Sequence, residues 1–210
     1  DCDWIAEAVV ERLDIKQSLY QRLNESCKES TIITSNTSTI PISLLTKGMP
    51  KKFCERFAIT HFFNPVRFMR LLELVRGEFT RDDVINTLDL FSETMLGKGV
   101  VSCSDTPGFL ANRVGVFAIQ CALHKAFEYK LSPTEADAFF GRPLGLPKTG
   151  VFGLYDLIGI DLMADVVKSL VSILPENDAF HKYSSPIEIM TDMIANGQTG
   201  NKNEKGFYKQ

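Results

Sequence analysis

The chain has 210 residues, of which 44% are hydrophobic and 23% charged, and its formal net charge is −3. These values are typical of a globular protein with one or two domains, each large enough to bury its own core. The small, interspersed charge argues against a nucleic-acid partner, and no apolar run approaches the ~20 residues of a membrane span. We therefore expect neither nucleic-acid binding nor membrane insertion.

Cysteine usage indicates the redox environment. The five cysteines are odd in number and scattered, without a C-x-x-C pair, which favours thiols in a reducing compartment over disulfides or a zinc site. We expect no bound metal, and a location in the cytoplasm or another reducing compartment such as the mitochondrial matrix. The first residues carry no secretory signal and open directly into a strand pattern, which suggests that the beginning of a longer chain is absent.

The chain starts with alternating strand and helix patterns. Trp4–Val10 and Thr31–Thr34 are apolar, β-prone runs that predict strands, and residues 14–28 between them have the period of an amphipathic helix. The polar loop SNTSTIPIS then leads into a short helix near 42–47. This order is typical of a parallel sheet, whose ligands bind at the carboxyl ends of the strands, where the SNTS loop is expected. The apolar face of the first helix is predicted to contain Ile15, Leu19, Leu23 and Cys27.

The segment Phe57–Val75 predicts a hairpin with two functional groups on it. Its apolar run reaches His61, breaks at Asn64-Pro65 and returns through Glu73. His61 and Glu73 lie equally far from Arg67, so a chain reversal there would make an antiparallel pair and place their Cβ atoms ~5 Å apart. A histidine oriented by a carboxylate can transfer a proton near neutral pH. On spacing alone, a structural histidine and a solvated glutamate remain the alternative.

A helix and a strand complete the first domain. The helix is predicted from Thr80 to Leu96, with acidic residues in its first turn and Gly97 as its stop, and the strand covers residues 99–103. From there on only helical patterns occur. We therefore expect an α/β domain over residues 1–103 and an all-helical domain over residues 104–210.

The helical part contains several start signals. Thr106 is predicted to be the N-cap of a long helix that ends near Lys130, with Pro107 at its first position. Ser132 and Ser185 are each followed by proline and, three residues on, by glutamate, so we predict two capping boxes. The second opens a helix that ends near Asn196, and two further helices are predicted over residues 151–158 and 160–174.

Five motifs occur in order along nearly the whole chain: SNTS at 35–38, HFFNP at 61–65, LLELV at 71–75, DTPGFLANR at 105–113 and KGFYK at 205–209. Together they resemble the 3-hydroxyacyl-CoA dehydrogenase family. The resemblance implies a Rossmann-type NAD-binding domain followed by an all-helical domain that makes a homodimer contact. It also implies NAD-dependent oxidation of a 3-hydroxyacyl-CoA to the 3-ketoacyl-CoA in fatty-acid β-oxidation, by a separate enzyme or within a multifunctional one.

The resemblance assigns roles to four catalytic positions. It makes His61 the general base, Glu73 its orienting partner, and Ser38 a hydrogen-bond donor to the substrate oxygen, with Asn112 as the fourth member. From the residues alone, Ser38 could instead cap the backbone, and Asn112 could make a hydrogen bond between helices.

The positions that the resemblance assigns to NAD binding are Glu11, Lys16, Ser38, Asn64 and Lys202. Spacing alone would make Glu11 and Lys16 solvated charges around a helix start, and Asn64 a turn residue before proline. A lysine in a polar tail, such as Lys202, has no meaning by itself.

One departure from the family is clear. The dinucleotide fingerprint G-x-G-x-x-G is nowhere in this sequence, so we expect only part of the Rossmann-type domain, without its first βαβ half. The family's coenzyme A contacts in that half are missing too. We therefore expect these residues alone to bind NAD weakly or not at all.

Two other functions remain possible. A scaffold of the same fold could serve only as a structural or dimerisation module, although such a module has no need of Ser38, His61, Glu73 and Asn112 together. Alternatively, a related dehydrogenase could act on a 3-hydroxy acid that is not linked to CoA, a class that the SNTS and HFFNP motifs fit less well.

Overall fold

The computed structural model describes residues 2–145 and 148–208, which form two compact units that divide between Asn112 and Arg113. The first unit contains one five-stranded sheet and four helices, and a fifth helix begins at its end. The strands are β1 (Trp4–Glu7), β2 (Ile32–Ser35), β3 (Phe57–Phe62), β4 (Leu71–Arg76) and β5 (Gly99–Cys103). The helices are α1 (Leu13–Ser26), α2 (Ile42–Leu45), α3 (Lys51–Cys54), α4 (Asp82–Thr94) and α5 (Ala111–Glu128).

The sheet has the spatial order β1-β2-β3-β4-β5. The first three strands are parallel, β4 runs antiparallel to β3, and β5 is parallel to β4. Glu7 pairs with Ser35 in register, and Ser35 with Ile59, so the carboxyl ends of β1, β2 and β3 meet at one edge. The predicted α/β architecture is confirmed, and the loops that follow β1 and β2 start side by side.

The sheet buries both of its faces, as its alternating residues require. Phe57, Ile59 and Val75 belong to an apolar cluster around the aromatic rings of Tyr20 and Phe53. The intervening residues Ala58 and Leu74 belong to a second cluster, which packs under Val84 and Leu88 of α4. Burial on both faces explains why these strands have continuous apolar runs rather than an alternating pattern.

The buried face of α1 differs from the prediction. Ile15 is exposed, whereas Lys16 and Tyr20 are the buried residues of this helix. The reason lies in β1, which ends at Glu7 rather than Val10 and leaves a buried carboxylate at its end. Lys16 and Tyr20 both donate hydrogen bonds to this carboxylate, so α1 turns its polar donors inward.

The start of α5 also differs from the prediction. Thr106 and Pro107 do not begin the helix, which starts at Ala111 after a turn. In that turn Gly108 and Phe109 have φ of 72° and 47°. Positive φ is incompatible with a right-handed helix, so the turn delays the helix start and redirects its first backbone N–H groups.

The named elements of the second unit are all helices within its described residues, with one isolated bridge between Gly200 and Lys205, which confirms the predicted all-helical part. After α5 its helices are α6 (Pro133–Phe139), α7 (Phe152–Ile158), α8 (Ile160–Ile173) and α9 (Glu188–Ala195). Short 3-10 helices cover Arg142–Leu144, Ala179–Tyr183 and Asn201–Asn203. Residues 146 and 147 of the glycine- and proline-rich loop, and residue 209 of the KGFYK motif, lie outside the described residues.

Only one of the two predicted capping boxes is present. The Ser132 hydroxyl accepts from the N–H of Glu135, and the Glu135 carboxylate accepts from the N–H of Ser132, which confirms the first box. The prediction at Ser185 is wrong, because α9 begins at Glu188 with Ile187 at its N-cap and no side-chain cap. Ile187 is extended and packs against the core, so the chain cannot turn into a helix before it.

The end of the KGFYK motif is bound to α7. The buried Asp156 carboxylate accepts hydrogen bonds from the N–H groups of Phe207 and Tyr208, both 2.8 Å long. A Cβ at Gly206 would collide with this carboxylate, which explains the glycine. The Tyr208 hydroxyl donates to Asp137, whose carboxylate also accepts from three backbone N–H groups at the start of α7. The motif therefore fastens the tail of the second unit.

Candidate active site

His61 and Glu73 face each other across the antiparallel pair β3–β4, as the hairpin predicted. Nδ1 of His61 lies 2.6 Å from Oε2 of Glu73, and both side chains are buried. Because a carboxylate only accepts hydrogen bonds, this contact places the imidazole proton on Nδ1. Nε2 has no hydrogen-bond partner within the described residues, so it is the ring nitrogen that can accept a proton.

The second oxygen of Glu73 binds the backbone at the start of α5. Oε1 accepts hydrogen bonds from the N–H of Leu110 at 2.9 Å and of Ala111 at 2.6 Å. Burial alone would raise the pKa of Glu73, but the hydrogen bonds from His61 and from these two N–H groups outweigh it and hold the pKa below its ordinary value. The partner of His61 is therefore a carboxylate at neutral pH.

Apolar and weakly acidic groups surround the pair. The ring centroids of Phe63 and Phe109 lie 4.5 Å and 5.8 Å from that of His61. The Cys103 thiol lies 3.8 Å from Oε1 of Glu73. Burial, followed by the negative charge of Glu73, raises the pKa of Cys103 to about 11. This thiol therefore stays protonated at neutral pH and is not suited to be a nucleophile.

The loop after β2 is held by Glu11. Oε1 of Glu11 accepts from the N–H of Ser38 and the hydroxyl of Thr39, both at 3.2 Å, and from the hydroxyl of Thr37. The Ser38 side chain is half-buried, and its hydroxyl has no hydrogen-bond partner in the described parts of the chain. A fixed backbone with an open hydroxyl is the arrangement expected for a residue that binds a ligand.

A buried ionic cluster lies behind this loop, and the sequence did not reveal its centre. Oε1 of Glu7 accepts from Nζ of Lys16 at 2.8 Å, and Oε2 accepts from the hydroxyls of Tyr20 at 2.5 Å and Ser35 at 2.8 Å. Burial would raise the pKa of Glu7, but these hydrogen bonds keep it below its ordinary value. The available signal was an acidic residue at the end of an apolar strand, four residues before Glu11.

The remaining predicted positions lie in different surroundings. Asn64 is exposed just after β3, and Asn112 is half-buried in the first turn of α5, beside the N–H that binds Glu73. Neither asparagine side chain has a hydrogen-bond partner among the described residues. Lys202 belongs to the second unit, where its Nζ lies 2.5 Å and 2.7 Å from the two carboxylate oxygens of Asp161.

One further asparagine connects the SNTS loop to the hairpin. Oδ1 of Asn36 accepts from the N–H of Phe62, the residue after His61, at 2.9 Å. The structure thus places the Ser38 loop and the His61–Glu73 pair at the same edge of one sheet. Sequence reasoning missed Asn36, although it is part of the SNTS motif.

Open polar groups lie near the carboxyl ends of β2 and β3. The open polar groups of Ser38 and Asn64, and Nε2 of His61, follow the carboxyl ends of β2 and β3 or lie near them, where dinucleotides bind in such sheets. They fit the reactive end of NAD, whereas the sequence holds no glycine fingerprint for its pyrophosphate.

The described residues contain no group of three or more metal-binding side chains, and none of their helices is long and apolar enough to cross a membrane.

Both units match models of known families. Residues 1–106 match the family described as 3-hydroxyacyl-CoA dehydrogenase, NAD binding domain, and residues 108–210 match 3-hydroxyacyl-CoA dehydrogenase, C-terminal domain. Together the two matches cover almost the whole chain.

Individual relatives agree with these matches. The chain is 44% identical over 209 residues to a protein of Rickettsia prowazekii (strain Madrid E) described as a fatty acid oxidation complex trifunctional enzyme, covering 100% of this chain and 29% of that protein. It is 36% identical to the mitochondrial hydroxyacyl-coenzyme A dehydrogenase of Sus scrofa, covering 99% of this chain and 63% of that one. The chain therefore spans less than two thirds of these curated relatives.

A solved structure shows the same fold. The crystal structure of (S)-3-hydroxybutyryl-CoA dehydrogenase from Ralstonia eutropha superposes with a TM-score of 0.85 at 33% identity. The match covers 99% of this chain and 70% of that chain. Both parts of the present chain thus have counterparts in one longer protein.

Proposed function

The chain belongs to the 3-hydroxyacyl-CoA dehydrogenase family, and we propose that it carries the proton-transfer centre of an enzyme of fatty-acid oxidation. The reaction is the NAD-dependent oxidation of a 3-hydroxyacyl-CoA to the 3-ketoacyl-CoA, or its reverse. The observation that carries the proposal is the buried His61–Glu73 pair, in which Nε2 of His61 has no hydrogen-bond partner among the described residues.

In the oxidation, Nε2 of His61 takes the proton of the substrate's C3 hydroxyl. The electrons of the broken O–H bond form the C3 carbonyl, and hydride leaves C3. NAD, when bound, supplies the hydride acceptor. Glu73 stabilises the imidazolium that forms, because its ionised carboxylate is already hydrogen-bonded to Nδ1. In the reverse reaction, the imidazolium returns the proton to the carbonyl oxygen.

Ser38 and Asn112 complete the proposed catalytic set. The open hydroxyl of Ser38 is suited to donate a hydrogen bond to the substrate oxygen, where negative charge develops. The Asn112 amide, at the start of the helix that Glu73 holds, is suited to bind the substrate or His61. Both proposals are supported by the lack of any other hydrogen-bond partner for these side chains among the described residues.

For NAD we propose contacts from Glu11, Ser38 and Asn64 of the first unit, whereas the role of Lys202 in the second unit stays a prediction. Lys16 differs, because its Nζ already lies near three acceptors: Glu7 at 2.8 Å, Glu11 at 3.2 Å and the carbonyl of Val9 at 3.3 Å. An ammonium group has three N–H donors, and these three acceptors occupy all of them. We therefore propose that Lys16 does not contact NAD itself but influences NAD binding by holding Glu11.

We also propose a homodimer formed through the helical unit, in a reducing compartment. An apolar groove of about 510 Å³ in that unit is lined by residues that include Val167, Val171 and Ile194. Light scattering tests this proposal. Val171→Lys is expected to shift the protein towards monomer, whereas Leu144→Lys, at an exposed position outside the groove, is the matched control. A monomeric parent protein would contradict the proposal.

The enzymatic proposal is tested in the full-length protein by acetoacetyl-CoA-dependent consumption of NADH. His61→Gln is expected to lower kcat by at least ~10²-fold, since general-base catalysis contributes that much or more. The control is His181→Gln, a half-buried histidine of the second unit that belongs to neither the proposed catalytic set nor the proposed NAD contacts and should leave kcat unchanged. Near-normal turnover in His61→Gln would contradict the role of His61.

The same assay separates the alternatives. A structural or dimerisation module would show no acetoacetyl-CoA-dependent NADH consumption in the parent protein. A dehydrogenase for unlinked acids would oxidise free 3-hydroxybutyrate as readily as its CoA thioester. We expect a strong preference for the thioester in a direct competition.

A further inference from the structure

We propose that Glu7 is a positioning residue that sets the geometry of the Ser38 loop from inside the protein. The inference rests on the proposed function, because the loop's importance derives from the role of Ser38. Glu7 itself touches neither substrate nor NAD in this proposal, since its carboxylate is fully buried and occupied by four donors.

Two routes of direct contact lead from Glu7 to the loop. In the first, Oε1 binds Nζ of Lys16, which lies 3.2 Å from Oε2 of Glu11, and Oε1 of Glu11 accepts from the N–H of Ser38. In the second, Oε2 binds the hydroxyl of Ser35, which accepts from the N–H of Thr37 at 3.3 Å. The two routes therefore end at adjacent backbone N–H groups of the loop, those of Thr37 and Ser38.

The position of Glu7 in the fold explains why one carboxylate can hold both routes. It is the last residue of β1 and pairs in register with Ser35, the last residue of β2. The N–H of Val9 also binds Oε1 at 2.7 Å, so Glu7 fixes the turn that leads to Glu11 as well. The loops after both strands thus share one anchor.

Stability alone is a weak explanation for this cluster. Burying a carboxylate and an ammonium is costly, and well-packed apolar residues often serve stability as well or better. Here the ionic contacts continue into the segment that carries Ser38. Their geometry therefore has a use that apolar packing could not supply.

Three sets of variants test the proposal in the full-length protein. Glu7→Gln removes the charge but keeps the shape. Glu7→Gln combined with Lys16→Met removes both buried charges, and serves if the single variant does not fold. Ser35→Ala removes one contact of the network. Its matched control is Thr31→Val at the opposite end of β2, which removes a hydrogen bond from Thr31 to the carbonyl of Cys2.

The first measurement does not depend on activity. Hydrogen exchange of the backbone amides of residues 35–40, followed by mass spectrometry, is expected to be at least ~10-fold faster in Glu7→Gln and Ser35→Ala, and unchanged in Thr31→Val. If the folded Glu7→Gln protein, or the folded double variant, exchanges this segment at the parent rate, the proposal is overturned.

The second measurement is catalytic. In Glu7→Gln we expect kcat to fall ~10- to 100-fold with little change in KM, since small misplacements near the reacting atoms have effects of that size. Ser38→Ala should then cost less in the Glu7→Gln background than in the parent, because Ser38 is already misplaced. Full additivity would overturn the proposal. An inactive parent would refute the proposed function instead, and the exchange result would still decide the role of Glu7.

Discussion

The N–H of Ala111 donates a hydrogen bond of 2.6 Å to Oε1 of Glu73, a residue that lies 38 positions earlier in the chain. The other oxygen of the same carboxylate orients His61. One side chain therefore fixes the tautomer of His61, the proposed general base, and the start of the helix that carries Asn112. Substitution of Glu73 should therefore affect both the orientation of His61 and the start of α5.

Glu73→Gln is expected to reduce kcat by ~10²–10⁴-fold. The amide can still accept from Ala111, but its NH₂ group then faces Nδ1, so the neutral imidazole carries its proton on Nε2, where the base must be free. Loss of the charged hydrogen bonds should also lower the free energy of unfolding by about 1–3 kcal/mol. Activity assays and urea unfolding measure both effects. Glu78→Gln, exposed just after the same hairpin, is the control, and unchanged kcat in Glu73→Gln would contradict the assignment.

The stability of the protein should depend on pH in the acidic range. The pKa values of Glu7 and Glu73 are both lower in the folded state than the ordinary value of 4.5. A depressed carboxyl pKa contributes stability that is fully present above the unfolded value and is lost as the pH falls through the folded value. We therefore expect the free energy of unfolding to decline below about pH 4.5. The decline should be smaller in Glu73→Gln, because this variant lacks one of the two carboxyl groups. Equal slopes in urea titrations of both proteins would refute this account.

The two serines of the S-P-x-E pattern should differ in their contribution to stability. Ser132 caps α6 through its hydroxyl, so Ser132→Ala is expected to lower the free energy of unfolding by about 1 kcal/mol. Ser185 has the same sequence pattern but caps no helix, so Ser185→Ala should change the free energy of unfolding by less than about 0.5 kcal/mol. Thermal or urea unfolding of the two variants provides a direct comparison. Equal losses would show that the second box forms after all.

These 210 residues alone should bind NAD weakly, with a dissociation constant above the micromolar range. The reason is the missing glycine turn, whose backbone N–H groups and helix N-terminus hold the pyrophosphate in Rossmann-type domains. Isothermal titration calorimetry measures this directly, with the full-length protein as the positive control. Micromolar binding by the isolated chain would mean that residues other than a glycine-rich turn bind the pyrophosphate of NAD.

The sequence predicted the hairpin pair because antiparallel register follows from local chain reversal. His61 and Glu73 are symmetric about Arg67, and that symmetry was sufficient to place them opposite each other. The contact between Glu73 and Ala111 had no such signal. It depends on positive φ at Gly108 and Phe109, and a phenylalanine in that conformation is not predictable from residue preference.

The buried cluster around Glu7 was missed for a different reason. An apolar run that contains one glutamate looks like a strand with a solvated charge, and Lys16 looks like a surface residue of a helix. Only the packing of α1 on the sheet shows that Lys16 and Tyr20 point inward to Glu7. Composition reports the sum of buried and exposed charges, whereas pairing between distant segments decides which charge is buried.

The bond between Glu73 and the start of α5 also has a consequence during protein synthesis. A nascent chain that has left the ribosome only as far as Cys103 contains both members of the pair but neither N–H donor for Oε1. A buried carboxylate oxygen left with only the weak S–H donor of Cys103 is costly, so the hairpin should reach its final form only after Ala111 has been translated. For the same reason, an expression fragment cut at Cys103 would contain the His61–Glu73 pair without the N–H donors of Leu110 and Ala111, whereas one that extends past Ala111 would keep both donors.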